Sequence, residues 1–95
     1  MLLFTPLAAQ DLEDIADYIA QDNPARALSF VAELQAQCQT IARQPALYRL
    51  RSDLLPKVRS CAYGNYVIFF QSLEKQVTVV RILHGARDLP AAFTG

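Results

Sequence analysis

The chain has 95 residues, 53% of them hydrophobic and 19% charged, at a formal net charge of zero. A chain this long is expected to form one domain, spanning residues 1–95, and its apolar share excludes wholesale disorder. The zero hides an asymmetry: through residue 42 one basic residue, Arg26, stands against six acids, and from residue 43 onward eight basic residues stand against three, which points to a charged partner.

Leu2 to Phe4 is a short apolar stretch that reads as a strand. Thr5-Pro6 then reads as a helix start, because a threonine oxygen caps free backbone donors and proline fits the first helical position. Ala8, Leu12, Ile15, Ala16 and Ile19 recur at spacings of three and four, which predicts one apolar stripe. Asp11, Asp14 and Asp17 are expected away from that stripe, with the early acids favouring the positive end of the helix dipole.

Asp22-Asn23-Pro24 repeats the cap-then-proline signal, so a second helix follows after a short connection, and the two are expected to form an antiparallel hairpin. Ala27, Val31, Leu34, Cys38 and Ile41 form its inward face, widened by Phe30, up to a stop at Gln44-Pro45. Residues 44 to 56 are bounded by prolines and lack clean periodicity, which predicts a connecting loop with room for one short turn of helix.

The remainder reads as strands at Lys57 to Tyr63, Tyr66 to Gln71 and Gln76 to Leu83, joined by Gly64-Asn65 and by a turn around Leu73-Glu74-Lys75. The tail from His84 to Gly95 is expected to be irregular. A sheet with one apolar face needs a cover, and two amphipathic helices supply it. The expected class is therefore α+β: a short N-terminal strand, an antiparallel two-helix hairpin, and a mainly antiparallel sheet completed by a C-terminal three-stranded meander, with the first strand at its edge.

The longest apolar run, Tyr66 to Phe70, is five residues, against the roughly 20 that a membrane-spanning helix needs. The N-terminus shows no secretion signal, so the expected location is cytoplasmic and no membrane partner is expected. Cys38 and Cys61 stand with a single histidine, His84, which argues against a metal site and for two buried reduced thiols. The three glycines build no phosphate loop, and no serine or cysteine has a nucleophile's context, so no cofactor is expected.

The constellation with chemical potential is Arg59, Arg81, His84, Arg87 and Asp88. Strand arginines clamp phosphate or carboxylate in a bidentate fork, and a histidine exchanges protons near neutrality. The competing reading makes Arg59 and Arg81 solvent-face charges, pairs Arg87 locally with Asp88, and gives His84 a structural hydrogen bond. Of Tyr18, Tyr48, Tyr63 and Tyr66, only Tyr48 has basic sequence neighbours, Arg49 and Arg51, suited to stacking on a nucleobase; packing roles are expected for the other three.

The order of strand, acidic helix hairpin, basic loop and meander, with the strings TPLAAQDLEDIADYIAQDNPARALSF, VRSCAYGNYVIFF and above all VVRILHGARDLPAAF, resembles the ParE-like toxins of type II toxin–antitoxin modules, within the RelE/ParE superfamily. The resemblance covers nearly the whole chain. It implies a growth-arresting toxin of the kind linked to plasmid stabilisation, neutralised by a cognate ParD-like ribbon-helix-helix antitoxin and poisoning DNA gyrase. The residues expected at target contact are Arg59, Arg81, His84 and Arg87; Leu12, Ile15, Ile19, Phe30 and Leu34 mark the region expected for antitoxin binding.

RelE-like relatives instead cleave messenger RNA on the ribosome, and the same four residues, Arg59, Arg81, His84 and Arg87, would serve as catalytic groups on that reading. Here Val67 stands where those nucleases carry a strand arginine, Phe93 lies near the place of their catalytic tyrosine, and Lys57 and Arg59 match the nuclease lysines only loosely. The set is incomplete, so inhibition without catalysis is the leading expectation, and no direct nucleic-acid binding is expected of the chain alone. A third alternative is a decayed toxin that only binds antitoxin.

Overall fold

In a computed structural model, which describes residues 1–87 and 89–94, the chain runs β1 (Leu2–Phe4), α1 (Pro6–Ala20), α2 (Pro24–Arg43), a 3-10 turn (Pro45–Leu47), β2 (Arg49–Leu50), β3 (Val58–Tyr63), β4 (Tyr66–Leu73), β5 (Gln76–His84) and α3 (Leu89–Thr94). Both helix starts form as the sequence predicts. Thr5 Oγ1 accepts from the Ala8 amide at 3.0 Å and Asn23 Oδ1 from the Arg26 amide at 3.1 Å, with proline opening each helix. The Thr5 hydroxyl also donates to the Val80 carbonyl at 2.8 Å, tying the start of α1 to β5.

The inward face of α1 is Ala8, Asp11 and Ile15. Asp11 is thus not away from the apolar stripe: three residues beyond Ala8 and four before Ile15, it shares their face by helical geometry. The first turn of α1 contains no acid, so the expected dipole contribution from early acids is absent there. In α2 the buried set is Ala27, Phe30, Leu34, Cys38 and Ile41, while Val31 is half-buried at the margin.

The sheet has order β1-β5-β4-β3-β2. β1 pairs parallel with β5, Leu2 against Val77, and every other neighbour is antiparallel. Gly64 takes φ +58° between the paired Tyr63 and Tyr66, and no positive φ occurs at Asn65, which is the type II′ pattern that suits strand twist. At the other hairpin Glu74 and Lys75 both take positive φ, 50° and 65°, between Leu73 and Gln76.

Two stretches are more ordered than expected. The segment after α2 carries β2 as well as the short helical turn, because Arg49 and Leu50 pair with Ser60 and Arg59, and the Arg51 amide donates to the Val58 carbonyl at 2.6 Å. The tail forms α3, and His84 closes β5 rather than following it. A six-residue helix has almost no stability of its own, so packing explains α3: Phe93 meets Phe69 edge-on at 5.0 Å.

Apolar side chains fill both faces of the sheet. Under the helix hairpin lie Phe70, Ile68, Val79 and Ile82 with Ile15, Phe30 and Leu34; on the other face Leu54, Val58, Phe69 and Leu83 are covered by Leu55, Leu89 and Phe93. The register shifts between Phe69 and Phe70, which pair with Arg81 and Val79 and leave Val80 as an extra residue on β5. That residue resets the alternation, so Val79 and Ile82, three apart, both reach the helix side.

Candidate functional site

The bulge on β5 has an electrostatic consequence. Beyond Val79 the edge of β5 has outrun β1, and Asp11 takes over its pairing: Oδ2 accepts from the Ile82 amide at 2.9 Å and from Arg81 Nε at 2.8 Å, while Oδ1 accepts from Arg81 Nη2 at 2.9 Å. The guanidinium is thus held in a two-point fork, and the carboxylate raises its already high pKa. Arg81 is accordingly committed to the fold by Asp11, a residue absent from the sequence-based candidates. Its three- and four-residue spacing within a buried face was the available signal.

Beside this pair lies a cleft of about 200 Å³ between α1 and the end of the β4–β5 hairpin, lined by Asp14, Tyr18, Tyr66, His84 and Arg87 among others. Cross-strand pairing places His84 opposite Tyr66, with the rings edge-to-face at 5.3 Å. His84 Nδ1 accepts from the Ala86 amide at 3.1 Å, so the neutral ring carries its proton on Nε2. The Arg87 amide donates to the His84 carbonyl at 3.0 Å, and both side chains are exposed. The expected Arg87–Asp88 pair lies outside the described residues. Tyr18 is 70% exposed at the rim, which departs from its expected packing role.

Arg59 does not join this cleft. It is half-buried on β3, where Nη1 donates to the Tyr48 carbonyl at 2.7 Å. Tyr48 packs its ring edge-on against Phe70 at 5.7 Å, so its face serves the core rather than a nucleobase. The four candidate residues therefore divide: His84 and Arg87 together, Arg81 behind them on Asp11, and Arg59 apart.

Ile15, Phe30 and Leu34 are buried against the sheet, with Leu34 at 0% exposure, so they present almost no surface to a partner. Leu12 and Ile19 are half-buried. The helices leave a different apolar surface open. A groove of about 540 Å³ runs between them, lined by Ala16, Ala20, Ala27, Leu28 and Val31, and a second hollow of about 400 Å³, bounded by Phe4, Ala9, Leu12 and the same Val31, continues it toward β1. Alanines let the two helices approach and leave room above them, while Leu28 stands 78% exposed at the rim. The sequence showed Leu28 only as a leucine off the buried stripe.

Elsewhere Arg26 and Glu33 pair at 2.6 Å, and Tyr63 donates to Glu33 at 2.9 Å; the Arg26 bond and then the Tyr63 bond hold the Glu33 carboxyl below its ordinary range. Burial, helped by nearby Cys61, pushes the Cys38 thiol up to about 11. Among the described residues no group of histidine, cysteine and acidic side chains is arranged to hold a metal. Among them, too, no helix is long and apolar enough to cross a membrane.

A helix hairpin over one face of a mixed five-stranded sheet, with an apolar groove and a charged cleft facing outward, defines a small two-layer α+β protein. The family model described as "ParE toxin of type II toxin-antitoxin system, parDE" matches residues 2–89. Toxin ParE1 of Caulobacter vibrioides is 33% identical over 85 residues, covering 88% of each chain. A solved structure of the chromosomal ParDE TA system from P. aeruginosa superposes with a TM-score of 0.73 at 26% identity, covering 87% of this chain and 92% of that one. The chain belongs to the ParE toxin family of type II toxin–antitoxin systems.

Proposed function

We propose that the chain acts in the cytoplasm, as a single domain, to arrest growth by binding and poisoning DNA gyrase, and that a cognate ParD-like ribbon-helix-helix antitoxin neutralises it. The open apolar groove over α1 and α2 carries the antitoxin half of this reading, because it continues to the edge strand β1 and so accepts an amphipathic segment followed by an extended one. Leu12, Leu28 and Val31 are the contact residues, with Ile15, Phe30 and Leu34 supporting the groove from beneath. The gyrase half follows the family. His84 and Arg87 are its contact residues, in a cleft whose lining also includes Asp11, the partner of Arg81.

The test is supercoiling of relaxed plasmid by gyrase with increasing toxin, repeated with antitoxin. Dose-dependent inhibition that antitoxin reverses supports the reading; no inhibition by folded, growth-arresting protein sinks the gyrase half. One observation favours a second reading: His84, Tyr66 and Arg87 share one cleft, as a ribosome-dependent messenger RNA endonuclease would require. On that reading, substituting His84 and Arg87 abolishes RNA cleavage. The engagement of Arg81 by Asp11 argues for binding over catalysis, because it removes one of the cations that would face a phosphate.

A further inference from the structure

The end of the sheet remote from the cleft gathers most of the cations from residue 43 onward. Residues 43 to 72 hold five basic side chains, Arg43, Arg49, Arg51, Lys57 and Arg59, and one acid, Asp53. The structure spends that acid on Arg51, at 2.9 Å. Arg43, Arg49 and Lys57 are exposed and form no salt bridge among the described residues, although Arg49 acts on Asp53 at longer range and helps Arg51 hold its carboxyl below the ordinary range.

Arg59 is the unusual member. It is half-buried, yet its only polar partner among the described residues is the neutral Tyr48 carbonyl. A partly desolvated guanidinium is normally answered by an anion, and its planar fork still has donors to offer. Arg59 and Lys57 line a hollow of about 300 Å³ with Ser72, Leu50, Pro45 and Ala46. The Tyr48 carbonyl holds the Arg59 guanidinium, and the turn preceding β3 sets the Lys57 backbone: Lys57 takes φ 62°, the Val58 amide donates to the Leu55 carbonyl at 3.3 Å, and Gln71 Nε2 donates to the Pro56 carbonyl at 3.0 Å.

We propose that this corner is a phosphodiester site that contacts the backbone of the duplex DNA on which the toxin's target works. The inference rests on the reading of the chain as a toxin of DNA gyrase. A hollow with a guanidinium, an ammonium and a hydroxyl suits one phosphate, and the further exposed cations at Arg49 and Arg43, neither in a salt bridge among the described residues, suit a polymer with repeated charge. A net charge of zero keeps the chain alone from holding DNA at physiological salt, so the corner adds its contacts within the target's complex.

Fluorescence anisotropy of the full chain with a labelled duplex of about 20 base pairs, titrated from about 20 mM salt upward, tests this. Wild type binds at low salt and weakens steeply as salt rises. Lys57→Gln, at an exposed position, lowers affinity about fivefold to tenfold and reduces the log–log salt slope by about 1, while Arg26→Gln, on the first turn of α2 toward the Tyr63 end of β3, stays within about twofold. Arg59→Gln is read alongside Lys57→Gln, with thermal unfolding reporting the loss of its Tyr48 bond.

Absence of binding at low salt overturns the proposal, as does an equal loss in Arg26→Gln. Tighter binding to single-stranded RNA of equal length, or equal binding to polyglutamate with the same Lys57 dependence, overturns the DNA assignment. The titration contains no gyrase, so its failure is distinguishable from failure of the supercoiling test.

Discussion

The Asp11 carboxylate answers both a guanidinium and the Ile82 amide, so removing it leaves a largely buried charge and a backbone donor without partners. Asp11→Ala is expected to lower unfolding free energy by about 3 kcal/mol, the low end for breaking a buried pair, measured by urea denaturation. Cys38 makes a separate prediction. Its folded pKa, raised to about 11, lies above that of an unfolded thiol, so its contribution is complete below the unfolded pKa and is lost as pH rises through the folded one. Stability is expected to fall over that alkaline window, and the stability difference between wild type and Cys38→Ala to shrink across it; a difference that stays constant refutes the assignment. Tyr63 and Tyr66, also raised, account for the slope that remains.

Helices and hairpins show how unequally local sequence speaks. Thr5-Pro6 and Asn23-Pro24 announce α1 and α2 because capping and a fixed proline φ are properties of neighbouring residues. Two-residue β2 carries no such signal, since its pairing partner Ser60 lies eleven positions away, and α3 exists only because Phe69 offers it a surface. The Glu74-Lys75 turn places two ordinary L-residues at positive φ, where asparagine and glycine are at ease. Glu74→Asn with Lys75→Gly is expected to raise stability by about 1 kcal/mol and to increase Tm correspondingly. The two faces of α2 are separable in the same way. Leu34→Ala empties a buried site and is expected to cost about 2 to 4 kcal/mol, whereas Leu28→Glu leaves unfolding within about 0.5 kcal/mol of wild type and weakens antitoxin capture tenfold or more, read by titration calorimetry.

The whole molecule presents its partners with distinct regions: an apolar groove over the acidic helices, a cleft at His84 and Arg87, and a basic corner at Lys57 and Arg59. Exchanging both His84 and Arg87 for alanine is expected to relieve growth arrest when toxin is produced alone, yet leave antitoxin binding within about twofold, because neither residue lines the groove. Loss of antitoxin binding in that variant would refute the separation of surfaces. Folding mixes the two-sided charge of the linear sequence at the cleft, where Asp11 and Asp14 stand beside Arg87, and keeps it at the basic corner, where Lys57 and Arg59 line one hollow.

Local chemistry was enough for the α+β class, the helix hairpin, the meander with its Gly64 turn, and the family. Each depends on spacings of three and four, on alternation, on caps, or on strings of adjacent residues, all of which are short-range. The candidate site was legible only in part. His84 and Arg87 come together because they are neighbours in sequence, but Arg81 is withdrawn by a carboxylate 70 positions earlier, and Arg59 lies at another corner of the sheet. Which face of α2 stays open was likewise decided by packing: the strongest apolar residues, Phe30 and Leu34, bury themselves against the sheet, and the surface left for a partner is built from what the core did not need.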